Sequence, residues 1–64
     1  MLIINGNQIQ ADGMTLLKYL EENGYGLQRI AVECNGEIIP KAAYADKVLN
    51  DGDKIEIVSF VGGG

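Results

Sequence analysis

The chain has 64 residues, enough for one small domain that buries only about 60% of the surface its unfolded form exposes. A hydrophobic content of 47% with 22% charged residues excludes a disordered chain, and no apolar run approaches the roughly 20 residues that span a bilayer. The net charge of −4 has the wrong sign for nucleic acid, and with no histidine the chain lacks the commonest general base and the commonest metal ligand.

Leu2-Ile3-Ile4 is a short apolar run rich in β-branched residues. After Asn5-Gly6-Asn7, the residues Gln8-Ile9-Gln10 alternate as an exposed strand does, which predicts an N-terminal hairpin. Past the Asp12-Gly13 break, Thr15 is a good N-cap, and Leu16, Leu17 and Leu20 share a helical face while Lys18, Glu21 and Glu22 lie elsewhere. Gly24 stands where a C-terminal cap glycine belongs, so a helix is expected from near Thr15 to near Asn23, with one apolar stripe to lay on a sheet. Ile30 to Cys34 is the next strand, closed by Asn35-Gly36, a strong hairpin signal because both turn positions need positive φ. Glu37-Ile38-Ile39 returns, and Pro40 ends that strand because it has no N–H to donate. Lys41 to Tyr44 is expected as a short helical turn or loop, Asn50 to Asp53 as a turn, and Lys54 to Phe60 as the last strand.

The order strand, strand, helix, strand, strand, strand predicts an α+β fold of the ubiquitin-like β-grasp kind: a mixed sheet of four to five strands packed on one main helix. The domain is expected over residues 1–61 and a flexible glycine tail over 62–64. Three glycines in a row make a slender tether, at most about 10 Å long, whose only chemical group is the carboxylate of Gly64. Such an end fits a narrow channel in a partner protein. It also fits a frayed terminus, and the elements upstream are what favour the first reading.

Within the last strand Lys54, Glu56, Val58 and Phe60 share one face, and Ile55, Ile57 and Ser59 the other. One helix covers one face only. With Ile55 and Ile57 beneath it, Val58 and Phe60 project to solvent at the root of the tail as a docking patch. The opposing arrangement is a bulge that turns Phe60 inward, or a cover from loop residues around Tyr44. Cys34 shares its strand face with Ile30 and Val32 and is expected inside as a small hydrophobe; alone, it forms no internal disulfide or cysteine cluster. That usage, with no basic-then-apolar leader, leads us to expect a cytoplasmic protein. Asp51 and Asp53 flank Gly52 as turn-formers, and Tyr19, Tyr25 and Tyr44 are expected as partial core or rim.

Asn35-Gly36-Glu37 followed by Pro40, the Asp51-Gly52-Asp53 turn, and the run from Ile55 to Gly64 occur in an order that resembles the ThiS family, small sulfur carriers of thiamine biosynthesis, over the whole chain. The resemblance implies a carrier and not an enzyme. Gly63 and Gly64 match the family's terminal pair, and Gly64 is the position that would be adenylated with ATP by a ubiquitin-activating-like (ThiF-like) adenylyltransferase and converted to a thiocarboxylate. A sulfur donor such as a cysteine desulfurase would supply the sulfur, and a thiazole synthase (ThiG-like) would receive it. Val58, Phe60, Val61 and Gly62 are the residues expected to meet a partner; Gly62, a third glycine before the pair, loosens the tether. No bound cofactor, metal, nucleic acid or membrane is expected. Two other readings stay open: a related carrier serving molybdopterin or another product, and a ubiquitin-like modifier or plain interaction module.

Overall fold

The computed structural model describes residues 1–60. Strands β1 (Leu2–Ile4) and β2 (Asn7–Ile9) form the first hairpin, which Asn5 and Gly6 close with φ of 50° and 83°. Both values lie in the region that asparagine and glycine tolerate best, so the two-residue turn matches the twist of its strands. Asn7 already pairs with Ile4, so β2 begins one residue earlier than the alternation of Gln8-Ile9-Gln10 implied.

Helix α1 (Leu16–Glu22) starts where Thr15 Oγ1 accepts the Lys18 N–H at 3.2 Å. Its end is a complete Schellman arrangement, with Gly24 at φ 73° and the N–H groups of Gly24 and Tyr25 donating to the carbonyls of Glu21 and Leu20. A 3-10 turn (Leu27–Arg29) leads into β3 (Ile30–Cys34). The pattern of residues did not announce that turn. Asn35-Gly36, at φ 53° and 88°, returns the chain as β4 (Glu37–Ile39), and Pro40 is followed by a second 3-10 turn (Lys41–Ala43) where a short helical turn was expected. The chain closes on β5 (Lys54–Ser59).

The sheet order is β2-β1-β5-β3-β4, with β1 and β5 parallel and every other pair antiparallel. The last strand in sequence is therefore the middle strand in space. Its inward residues Ile55 and Ile57 join Leu2 and Ile4 of β1, and Ile30, Val32 and Cys34 of β3, under Leu16 and Leu20 of α1. Full burial of a leucine such as Leu2, Leu16 or Leu20 contributes about 1.5–3 kcal/mol, so these few side chains dominate the stability of so small a domain.

Tyr44, expected as partial core or rim, lies fully in the core at 3% exposure, and Leu49 is buried as well. The stretch between β4 and β5 wraps the start of α1. The Leu16 and Leu17 N–H groups donate to the carbonyls of Lys47 and Tyr44 at 2.7 and 3.0 Å, while Gly13 and Leu49 donate to Leu49 and Met14 at 2.8 Å each. The first amides of the helix are thus satisfied by protein, leaving no anion site there. Among the described residues no helix is long and apolar enough to cross a membrane.

Candidate functional site

Strand β5 runs with regular alternation into the root of the tail. Ile55 and Ile57 are buried, whereas Val58 and Phe60 are 58% and 54% exposed. Among the described residues no bulge turns Phe60 inward and no loop covers it. The open side of the sheet was not fully specified by β5 alone, because its neighbours contribute through the register. Ala31 of β3 lies opposite Val58, Glu33 opposite Glu56, and Ile38 of β4 opposite Glu33. Ile3 of β1 lies beside Lys54. Ile38 is 64% exposed and Ile3 is also exposed, so the open face is an apolar surface with two carboxylates facing each other across β3 and β5.

That face is costly in isolation. Like charges directly opposite each other in a sheet destabilise it by up to about 1 kcal/mol, and exposed large apolar groups gain nothing from water. A partner that covers the apolar groups and offers positive charge to Glu33 and Glu56 offsets both.

The remaining sequence-singled residues do structural work. Cys34 is buried on the inner face, with the Asn35 side-chain amide 3.6 Å from its sulfur. Asp53 accepts the Asn50 N–H at 3.0 Å and the Asn35 Nδ2 at 3.1 Å, as a turn-former does. Its partial burial works against ionisation, but these two donors and the positive charge of Lys47 outweigh it and hold the carboxyl below its usual 3.8. Among the described residues no group of three metal-ligating side chains comes together. Val61, Gly62, Gly63 and Gly64, the remaining positions assigned to the site, lie outside the described residues.

One residue that the sequence marked only as a turn-former belongs to this region. Asn5 Oδ1 accepts the Ile57 N–H at 2.7 Å and its Nδ2 donates to the Ile57 carbonyl at 3.3 Å, tying the first hairpin to the strand that carries Phe60. The Asn-Gly turn signal accounts for an asparagine here by itself, which is why the second role was hidden.

A helix-covered mixed sheet with its last strand in the centre defines a ubiquitin-like β-grasp fold, with Val58 and Phe60 exposed at the end of that strand. The comparisons with known proteins agree. The ThiS family model matches residues 2–64, and the chain belongs to the ThiS family, a family of protein carriers rather than catalysts. The crystal structure of the thiamine biosynthesis protein ThiS from Geobacter metallireducens superposes with a TM-score of 0.78 at 28% identity, covering 98% of this chain and 97% of that one. The sulfur carrier protein ThiS of Thermus thermophilus is 38% identical over 64 residues, the whole of both chains. A thiazole synthase of Paramagnetospirillum magneticum is 48% identical over 64 residues, covering 98% of this chain; the chain spans only 20% of that protein's length.

Proposed function

We propose that the chain carries sulfur for the thiazole of thiamine on the carboxylate of Gly64. A carboxylate, ionised above a pKa of about 3.5, is a poor electrophile. Adenylation by a ubiquitin-activating-like enzyme solves this: a carboxylate oxygen attacks the α-phosphorus of ATP, pyrophosphate leaves, and the acyl group now has AMP as a good leaving group. A persulfide formed by a donor such as a cysteine desulfurase then displaces AMP to give an acyl disulfide. A thiol attacks the outer sulfur of that disulfide and is itself oxidised to a disulfide, and the terminal thiocarboxylate so released passes sulfur to thiazole synthase. Val58 and Phe60 seat the domain while Val61 and the glycines reach into each enzyme, with no side chain on Gly62, Gly63 or Gly64 to obstruct either site.

The observation that carries this reading is the similarity to a sulfur carrier over the full length of both chains, running through Gly64. The thiazole synthase relative that contains a stretch similar to this chain supports a synthase of that kind as the acceptor. The test is ATP–pyrophosphate exchange with the cognate activating enzyme. Exchange that depends on the chain and disappears when Gly64 is deleted supports the carrier. Exchange accompanied by high-mass conjugates on lysines of other proteins moves the reading to a modifier.

A further inference from the structure

Strand β5 is flanked unequally along its length. β3 pairs with it from Ile55 to Ser59, but β1 reaches only Lys54 and Ile55. Beyond that point the chain of β1 turns away, and Asn5 takes its place. The Asn5 N–H donates to the Ile55 carbonyl at 2.9 Å, as a further strand residue does. Its side-chain carboxamide then bonds both the N–H and the carbonyl of Ile57, at 2.7 and 3.3 Å, in the manner of the next residue of a paired strand. Alternate residues of a strand present their backbone groups on the same edge. Ser59 therefore faces the same edge as Ile57, and among the described residues no strand lies there. Among the described residues Asn5 makes the last hydrogen bonds on that edge, while on the other edge the Phe60 N–H donates to the Arg29 carbonyl at 2.6 Å.

We propose that Asn5 is a positioning residue for activation of Gly64: by holding the N–H and the carbonyl of Ile57 it fixes the course of β5 through Val58 and Ser59 to Phe60, and so where the glycines enter the partner's site. This rests on the carrier reading above. The fold supplies its own control. Asn35 opens the other Asn-Gly turn at nearly the same φ, and it also bonds β5: its Oδ1 accepts the Lys54 N–H at 2.9 Å and its N–H donates to the Lys54 carbonyl at 2.8 Å. The two asparagines make the same kind of bond to one strand, Asn35 at its first residue, Lys54, and Asn5 at Ile57, two residues before its end. Asn5 is the nearer of the two to the tail.

Asn5→Gly and Asn35→Gly each keep a residue at ease with positive φ and delete one side-chain clamp. Pyrophosphate exchange is measured with the full chain as the varied substrate, at a temperature where wild type and both variants are folded. Asn5→Gly is expected to lower kcat about tenfold or more, because the reacting carboxylate is misdirected. Its KM stays within about twofold, because the docking face is unchanged, and Asn35→Gly leaves both constants within the same range. An unchanged kcat for Asn5→Gly, or equal losses in the two variants, overturns the proposal. Hydrogen exchange of the Phe60 amide supplies a readout that needs no partner. Faster exchange in Asn5→Gly than in Asn35→Gly supports the hold on the tail root, and equal rates overturn it. If the wild-type chain is not activated at all, the carrier reading fails, and the Phe60 comparison still decides the structural claim.

Discussion

The two faces of β5 are built from one alternating stretch but under opposite demands. Beneath α1, Ile55 and Ile57 pack against leucines and valine and are almost fully removed from water. On the other side Glu56 and Val58, and Phe60 just past the strand, stay in solvent, with a second glutamate and an exposed isoleucine as neighbours on β3 and β4. The covered face is determined by what the domain needs in order to fold. The open face is not determined by burial, because its apolar groups stay exposed and its two glutamates face each other; in the proposed carrier reading it serves a partner.

The sharpest way to break that contrast is to truncate one residue on each side of the same strand. Ile55→Ala is expected to cost about 2–5 kcal/mol in urea denaturation, whereas Val58→Ala stays within about 0.5 kcal/mol. Equal costs would mean that the open face is part of the folding core. Next in size, Phe60→Ala is expected to weaken binding to the activating enzyme about tenfold, roughly 1.4 kcal/mol, with little change in stability. A titration giving the same affinity for variant and wild type would remove Phe60 from the docking surface. Thr15→Ala deletes the cap of the helix that makes the covered face possible, and is expected to cost about 1 kcal/mol in the same denaturation experiment without altering binding.

The smallest effect is a pH dependence. The Asp53 carboxyl is held below its usual value in the folded chain, so its contribution is present above that value and is lost as pH falls through the lower folded one. The stability difference between wild type and Asp53→Asn is therefore expected to shrink between about pH 6 and about pH 3. A difference that grows with acidity would reverse the sign and the assignment.

Local chemistry made part of this molecule legible in advance. Asn35-Gly36, Gly24 and Thr15 each answer a backbone requirement set within a few residues, and each stands where the sequence placed it. The exposure of Phe60 followed from the period of two in β5 and from there being one helix. The wrap between β4 and β5 was not legible, because its conformation depends on carbonyls of Tyr44 and Lys47 meeting the helix amides and on Tyr44 and Leu49 reaching the core. Those partners are distant in sequence and carry no periodic pattern. The acidic pair on the open face escaped for the same reason, since Glu33 and Glu56 meet only through the register of β3 with β5. Asn5 was visible, but its local turn role masked its long-range one.

The carrier reading turns on the terminal carboxylate, and the most direct measurement is intact mass after incubation with ATP, a sulfur source and lysate of the source organism, with and without Gly64. The account predicts a gain equal to one oxygen replaced by sulfur on the full chain and none on the truncated one. An unchanged mass for the full chain, or the same gain after Gly64 is removed, would contradict it.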